Sequence, residues 1–265
     1  VLNQAAHIST ITPFHRERLL RAGLPSAQVT LLPCAVAVPA DVAALPTSAS
    51  LRVLTVGRLV PKKGHDLLID ACAALAGKGR SVELVIVGEG EQGLALRQLA
   101  ARHMTETGGR FKVEFRGETP AEVVRSLMLH GGFHAFALAC RIAPDGDRDG
   151  LPVALLEAQA CGLPTVTTSL PGFESQLQDD RDGLLLPVAP DRRRVSDGPG
   201  PERASLAAAL ACLQDVPVLR ARLAAGARQQ AELRPTPAAV GRRLMEMLGR
   251  LLPGAVYDAR PLEGR

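Results

Sequence analysis

Two carboxylates lie eight positions apart in the stretch DRDGLPVALLEAQACGLPTV, residues 147–166: Asp149 before a Gly-Leu-Pro sequence and Glu157 after it. They could be ordinary helix acids, with Asp149 stabilising a helix N-terminus and Glu157 facing solvent. Glu157, however, is embedded in an almost wholly apolar run, where a carboxylate without partners is costly. The spacing therefore favours two acids that contact one ligand from different depths.

The residues between the two acids suit the start of a helix. Pro152 fits the first turn, where its missing N–H costs nothing, and Gly150 lets the backbone come close to a ligand. The free N–H groups around Leu151 and Val153 would then face a phosphate. The stretch predicts an anion-binding helix N-terminus.

A second cluster of candidate residues lies in VGRLVPKKGHDLLIDA, residues 56–71. Gly57 permits a tight turn after an apolar run, and Gly64 opens a helix whose N–H groups attract anions. The guanidinium of Arg58, with its paired N–H donors, and the compact ammonium of Lys63 could together bind a diphosphate. From this motif alone, surface charges on a loop explain the pattern equally well. The glycines match neither a Walker loop nor a Rossmann fingerprint.

Two other patterns carry less information. The GEG sequence at residues 88–90 is explained more simply by a tight turn after a strand. His130 and His134 have the i, i+4 spacing of a helical metal pair, but Gly131-Gly132 breaks the helix between them and no third ligand is nearby. No metal site is therefore expected.

Both candidate clusters follow predicted strands. From Leu51 onward, short apolar runs alternate with helical stretches, which predicts βαβ units and an α/β fold with a doubly wound, mainly parallel six-stranded sheet and C-terminal helices. Ligands bind at the carboxyl ends of the strands in such sheets. The predicted strands are residues 51–56, 82–87, 112–115, 133–139, 164–168 and 183–187, and the predicted helices lie near 64–76, 91–103, 120–130 and 152–161.

Composition narrows the class of protein. A hydrophobic fraction of 46% with 22% charged residues is typical of a soluble globular protein. The net charge of +4 is small, and one Tyr, six Phe and no Trp offer no base-stacking platform, so no nucleic-acid partner is expected. Five widely spaced cysteines favour reduced thiols in the cytoplasm. No signal peptide or run of 18 apolar residues is apparent.

Together these residues resemble the nucleotide-sugar domain of the family-four retaining glycosyltransferases of the GT-B fold. The resemblance runs from about Ile8 to Gln230, nearly the whole chain. VGRLVPKKGH looks like that family's diphosphate loop, and DGLPVALLEAQACGLPTV looks like its signature of two acids eight apart. The acidic segment RIAPDGDR resembles the link found in a subgroup that makes exopolysaccharides.

The resemblance implies a role for each candidate residue. Arg58 and Lys63 would hold the donor's phosphates beside Gly57, Asp149 would contact the transferred sugar, and Glu157 would bind the ribose hydroxyls. Catalysis would depend on Arg58, Lys63, Asp149 and Glu157.

Further contacts to the donor would come from two loops. Gly150, Leu151, Pro152 and Val153 would meet the sugar or phosphates through the backbone. In VEFRGETP, backbone groups near Glu118 and Thr119 would lie beside the base.

The chain departs from the family pattern at several positions. The first acid is usually Glu, and Asp149 is shorter by one methylene, roughly 1.5 Å on carbon–carbon bond lengths. His134 and Cys140 stand where Asp and Ser are common. Ser175 falls where a second Glu is expected, with Glu174 one place early.

The resemblance also implies the domain organisation and the partners. Residues 1–40 would be the tail end of an N-terminal acceptor domain with its crossover, residues 41–50 a linker, residues 51–215 the donor-binding domain and residues 216–265 a C-terminal helical segment. The donor would be a UDP-, GDP- or other nucleoside-diphosphate sugar, with no cofactor and no metal. A glycan or lipid-linked acceptor would bind through the N-terminal domain, at a cytoplasmic location that allows peripheral contact with the inner membrane face.

We therefore predict a hexosyltransferase-type enzyme that moves a sugar from a nucleoside-diphosphate sugar to an acceptor with retention, in cell-surface or exopolysaccharide synthesis. The alternative is a non-catalytic nucleotide-binding or interaction module of the same fold. The shorter Asp149 favours that alternative, whereas Arg58, Lys63 and Glu157 oppose it.

Overall fold

A computed structural model of the chain describes residues 5–187 and 201–252, and residues 201–204 by their backbone alone. The chain divides into two compact units, one within Val1–Val36 and Arg234–Arg265 and the other within Ala37–Leu233. The strands are β1 (Ile8–Thr10), β2 (Val29–Leu31), β3 (Leu51–Val56), β4 (Val82–Val87), β5 (Phe111–Gly117), β6 (Ala135–Leu138), β7 (Thr165–Thr168) and β8 (Leu184–Leu186). The helices are α1 (Pro13–Arg21), α2 (His65–Gly77), α3 (Gly93–Glu106), α4 (Ala121–His130), α5 (Val153–Ala160), α6 (Pro201–Asp215), α7 (Pro217–Leu233) and α8 (Pro237–Leu251).

The smaller unit contains β1 and β2, which pair in parallel, together with α1 and α8. Helix α1 begins after a capping residue: the Thr12 hydroxyl accepts a hydrogen bond from the His15 backbone N–H, and Pro13 opens the first turn. Within the described residues, no helix has the length and apolarity to cross a membrane.

The larger unit is built on a six-stranded parallel sheet with the order β5-β4-β3-β6-β7-β8. The predicted α/β class and parallel sheet are confirmed. Every pairing between neighbours is parallel. Such a sheet is covered on both faces, which is why its strands read as short apolar runs. The core contains residues from the central strands and from α2 and α6, for example Val53, Ile86 and Leu210.

Predicted and observed boundaries agree best in β3 and β4 and differ by up to three residues elsewhere, as at the end of α3. Strands β3 and β4 match their predictions to the residue, whereas β6 begins two residues late because Phe133 and His134 are buried ahead of it. Pro152 is the N-cap of α5, with an extended backbone, and not a residue of the first turn. A loop is the prediction for the charged segment 189–203; residues 188–200 lie outside the described residues, and residues 201–203 begin α6.

The sheet reverses its winding between β3 and β6, which lie side by side although five helices and strands separate them along the chain. A crevice opens at such a switch point, beyond the carboxyl ends of the two strands. The loop after β3 contains Arg58 and Lys63, and the segment after β6 contains Asp149. The topology therefore brings the two sequence clusters to one edge of the sheet.

Gly64 allows these two segments to approach closely. It has a left-handed backbone, with φ of 63°, and a Cβ at this position would lie 1.9 Å from the Ala139 carbonyl oxygen. Only glycine adopts both the dihedral angle and the contact without strain. The glycines of the GEG sequence serve the same region, because a Cβ on Gly88 would lie 2.1 Å from the Gly57 carbonyl oxygen.

We predict that Gly64→Ala lowers the free energy of unfolding by at least about 2 kcal/mol, since it adds left-handed strain to a backbone clash. Gly77→Ala is the matched control, because Gly77 ends the same helix and a Cβ added there would meet nothing within 4 Å. It should be neutral or stabilising by up to about 1 kcal/mol. Chemical denaturation measures both, and equal stabilities for the two variants would contradict the role given to Gly64.

Candidate functional site

The Lys63 ammonium and the Asp149 carboxylate form an ion pair, with 2.9 Å between Nζ and Oδ2. Their side chains are only 13% and 14% exposed, so water and salt screen the pair less than a surface pair. The Lys63 stem packs beside Gly57, where a Cβ would lie 3.5 Å from Cδ. The structure thus joins the predicted phosphate-binding lysine to the predicted sugar-binding acid.

Lys62 strengthens this contact between the two loops. Its Nζ lies 2.9 Å from Asp147 Oδ2 and 3.8 Å from Asp149 Oδ1. A hydrogen bond from Lys62 holds the pKa of the Asp147 carboxyl below its ordinary value. Two lysines and two aspartates therefore lie together at this edge of the sheet, and Lys62 is a second cation beside Asp149.

The Cys140 thiol donates to the same carboxylate, with 3.5 Å between Sγ and Asp149 Oδ2. Burial raises the pKa of this thiol far above its ordinary value, and the charge of Asp149 raises it further. The thiol stays protonated at neutral pH and remains a donor, although a weaker one than a serine hydroxyl. Its contact helps to fix the direction of the shorter acid.

Arg58 lies on the same loop with an exposed side chain. The carbonyl of Arg58 accepts a hydrogen bond from His65 Nε2 at 3.2 Å. Burial lowers the pKa of His65 to about 4, so the ring is neutral at pH 7 and carries its proton on the nitrogen that faces this carbonyl. His65 thereby fixes the backbone of Arg58 while the guanidinium is left to reach a ligand.

A cavity of about 290 Å³ opens beside Arg58. Its polar lining combines cations from the β3 loop with acids from other segments. These residues are Arg58, Lys62, Glu91, Asp145 and Asp147. A wall that offers both donors and acceptors suits a ligand that has phosphate and hydroxyl groups.

The N-terminus of α5 supplies the backbone groups that the sequence predicted. The helix has no side-chain cap; Pro152 is buried at the N-cap position, Leu151 is buried before it, and Val153 is exposed at the first helical position. Uncapped N–H groups at a helix start attract an anion. Gly150 is half-buried just upstream.

Glu157 lies just over one turn into α5 and is half-buried. Burial raises the pKa of its carboxyl, against a smaller opposing effect from Arg125. Among the residues that the structure describes, no group forms a hydrogen bond or ion pair with this carboxylate. A partly buried carboxylate without a partner is costly, and ligand hydroxyl groups would satisfy it.

Buried polar contacts fix helix α5 in place. Gln159 Nε2 donates to the Asp182 carbonyl at 3.1 Å, and Arg228 Nη1 donates to the Ala160 carbonyl at the end of the helix at 2.9 Å. The one polar residue in the apolar part of the helix is therefore structural. These contacts hold the helix that carries Glu157, whereas Asp149 lies in the preceding loop, four residues before the helix begins.

The predicted base-side residues follow β5, at the same edge of the sheet. Thr119 Oγ1 donates to the Gly117 carbonyl at 3.3 Å, and Glu118 is exposed. Gly117 has a left-handed backbone at a β-bulge between β4 and β5, which turns this segment. The structure places these residues in the neighbourhood that the sequence predicted, and their role as a base site stays a prediction.

His134 lies one residue before β6 and is hydrogen-bonded to the neighbouring strand β3. Its Nδ1 accepts a hydrogen bond from the Arg52 backbone N–H at 3.1 Å, and burial lowers the pKa of the ring. Within the part of the chain that the structure describes, no group of three or more His, Cys, Asp or Glu residues is placed to hold a metal ion. Glu174 accepts a hydrogen bond from the Ser169 hydroxyl, which follows β7, at 2.7 Å.

Sequence reasoning missed Lys62, Asp147 and His65 as members of this site. All three stand inside the stretches that carry the prediction, and KKG and DRD are visible signals of extra charge. The pairing of Lys62 with Asp147 could not be read from the sequence, since it depends on the adjacency of β3 and β6.

The fold and the site define a doubly wound α/β domain with cations, carboxylates and an uncapped helix start at its switch point. The chain's match to known families agrees with this class. Residues 44–197 match the family described as glycosyl transferases group 1, and the chain belongs to that family.

Relatives of known name share part of the chain. The amylovoran biosynthesis glycosyltransferase AmsK of Erwinia amylovora is 34% identical over 137 residues, which are 52% of this chain and 32% of that protein. A GDP-mannose-dependent alpha-(1-6)-phosphatidylinositol monomannoside mannosyltransferase of Mycolicibacterium smegmatis is 30% identical over 195 residues, 69% of this chain and 50% of that protein. The chain spans about a third to a half of the length of these relatives.

Solved structures of the same fold cover most of the chain. Staphylococcus aureus TarM, in a complex that contains UDP, superposes with a TM-score of 0.74 at 17% identity, over 92% of this chain and 44% of that one. Anabaena HepE, in complex with UDP and glucose, has a TM-score of 0.69 at 20% identity, over 93% and 64%. At these identities the likeness establishes the GT-B type of fold.

The Lys63–Asp149 ion pair leads to a prediction about nucleotide binding. We expect Asp149→Asn to tighten the binding of a free nucleoside diphosphate by about fivefold, or ~1 kcal/mol. The substitution releases Lys63 to the phosphates, and a diphosphate without a sugar makes no use of Asp149. Calorimetry with UDP and GDP measures the change. Asp215→Asn is the control, because Asp215 pairs with Arg80 in a separate ion pair, and unchanged or weaker binding by Asp149→Asn would show that the pair does not compete with a ligand.

The raised pKa of Glu157 leads to a second prediction. An ionised carboxylate accepts ribose hydroxyls, so nucleotide affinity should be complete at neutral pH and fall as pH drops through a pKa above the ordinary 4.5. Glu157→Gln should weaken binding at pH 7 by about tenfold and remove this pH dependence.

Titrations at several pH values test the Glu157 prediction, with the exposed Glu122→Gln as the control. A Glu157→Gln variant that keeps the wild-type affinity and pH profile would exclude a ribose contact at this position.

Proposed function

We propose that this chain binds the donor of a retaining glycosyltransferase, a nucleoside-diphosphate sugar, at the switch point between β3 and β6. The Lys63–Asp149 contact is the observation that carries the proposal, since it juxtaposes a cation and an acid that would act on the two halves of such a donor. Family membership and the UDP-containing complexes of HepE and TarM support this class of ligand.

The phosphates would bind to Arg58, Lys63 and the N–H groups at the start of α5. Arg58 is exposed beside the cavity, and Lys63 is largely withdrawn from water on the same loop. A diphosphate carries more charge than the Asp149 carboxylate and offers more acceptor oxygens, so it should displace Asp149 from Lys63. Fixed cations then face the phosphates, and no metal or cofactor is required.

The sugar and the nucleoside would occupy the two ends of the site. Asp149, released from Lys63, would accept a hydroxyl of the transferred sugar, and Glu157 would accept the ribose hydroxyls. The carbonyls and N–H groups near Glu118 and Thr119 would lie beside the base.

In the reaction, the bond between the anomeric carbon and the diphosphate oxygen breaks, and its electron pair leaves with the diphosphate. Arg58, Lys63 and the α5 N-terminus would stabilise that growing negative charge. The acceptor hydroxyl forms the new bond on the same face of an oxocarbenium-like centre and gives its proton to the departing diphosphate. A glycan or lipid-linked acceptor, held by an N-terminal domain at or near the inner membrane face, completes the proposal, with exopolysaccharide synthesis as its setting because of the likeness to AmsK.

Lys63→Ala should lower turnover by about 10²–10³, the usual effect of removing one preorganised donor from a charge that develops in the transition state. Donor hydrolysis and transfer by the full-length gene product provide the measurement. Lys78→Ala is the matched control, because Lys78 is exposed at the other end of α2.

Two results would count against the enzymatic proposal. Unchanged turnover in Lys63→Ala would show that Lys63 does not bind the donor's diphosphate. Tight nucleotide binding by an intact protein that transfers and hydrolyses no donor would favour the non-catalytic module.

A further inference from the structure

Arg141 joins the segment after β6 to the turn that carries Lys63. Its Nε donates to the Pro61 carbonyl at 2.9 Å, and its backbone N–H donates to the Lys62 carbonyl at 2.9 Å. Its Nη1 lies 2.9 Å from Asp66 Oδ2, in the first turn of α2. One side chain thus contacts both sides of Lys63.

The contacts of Arg141 differ in kind from those of the two lysines. Lys62 and Lys63 meet carboxylates through the ammonium groups that a diphosphate would attract. Arg141 meets backbone carbonyls and Asp66, and an anionic ligand has no reason to replace a carbonyl that accepts from a guanidinium. A ligand that exchanges with Asp149 would therefore replace the Lys63–Asp149 contact and leave the Arg141 contacts in place.

We propose that Arg141 is a positioning residue for the diphosphate site, which holds the turn Pro61–Lys63 and the start of α2 so that Lys63 Nζ stays aimed at the ligand. The inference rests on the proposed function, because it concerns the same donor site. Displacement of a ligand-binding group by about 1 Å is enough to weaken its contribution strongly. The planar guanidinium suits this role, since its separate N–H groups serve Pro61 and Asp66 at once.

Loss of the Arg141 side chain would have two separable effects. The Pro61 carbonyl loses its donor, which frees the turn. Asp66, three residues after Lys63, loses its cation, and its uncompensated charge would repel a diphosphate. Arg141→Lys keeps a cation for Asp66 but removes the guanidinium that contacts Pro61 and Asp66 together. Arg141→Met removes the cation as well as the guanidinium. Adding Asp66→Asn to Arg141→Met removes the charge that would repel the diphosphate.

The experiment compares the affinity of a nucleoside diphosphate with that of its monophosphate, using UDP with UMP and GDP with GMP. The ratio reports how well the protein uses the second phosphate. We expect Arg141→Lys and Arg141→Met to lower this ratio by about tenfold, with monophosphate affinity changed by less than about twofold. The ratio should stay at least about threefold below wild type in Arg141→Met with Asp66→Asn.

Arg80→Lys is the control, because Arg80 makes a comparable bidentate contact with Asp215 elsewhere in the same unit. A wild-type ratio in Arg141→Lys, or full recovery in the double variant, would overturn the positioning role. Equal losses for monophosphate and diphosphate would overturn it too, by assigning Arg141 to stability alone. If the wild-type protein binds no nucleoside diphosphate, the proposed function itself is wrong. If the wild-type protein binds the diphosphate and the Arg141 variants keep the wild-type ratio, only the role of Arg141 is wrong.

Discussion

The site depends on a backbone contact that only glycine permits. Gly64 turns with a positive φ against the Ala139 carbonyl, so the loop after β3 and the segment after β6 can lie side by side. That approach lets Lys63 pair with Asp149 and lets Arg141 donate hydrogen bonds to the Pro61 and Lys62 carbonyls. A residue with a side chain at position 64 would separate the two segments and the charges that they carry.

The charged groups of the candidate site pair with one another across the two loops. Lys63 neutralises Asp149 where both side chains are largely buried and an unpaired charge would be costly, and Lys62 pairs with the more exposed Asp147. A diphosphate must therefore compete with an internal carboxylate. Part of its binding energy replaces a contact that already exists, and the acid released from Lys63 becomes available to the rest of the ligand. Glu157 is different, because no described residue pairs with its carboxylate, and a ligand would not have to displace one.

Much of this could be predicted from the sequence, and the remainder has a definable cause. Strands β3 and β4 match their predicted bounds to the residue because buried parallel strands leave a strong apolar pattern. The two acids and the GRLVPKKG loop are recognisable as a site because the residue types and spacings are local. Partners such as Lys62 with Asp147 and Arg141 with Asp66 could not be predicted. They are brought together by strand order and by one left-handed glycine, which no local pattern reports.

The measurement that tests the exchange at Lys63 most directly is a crystal structure of the protein with UDP or GDP bound. We predict the diphosphate between the β3 loop and the start of α5, with Lys63 Nζ within hydrogen-bond distance, about 2.7–3.2 Å, of a phosphate oxygen and no longer paired with Asp149. Arg141 should keep its contact with the Pro61 carbonyl. A nucleotide bound elsewhere, with the Lys63–Asp149 pair intact, would contradict the central claim.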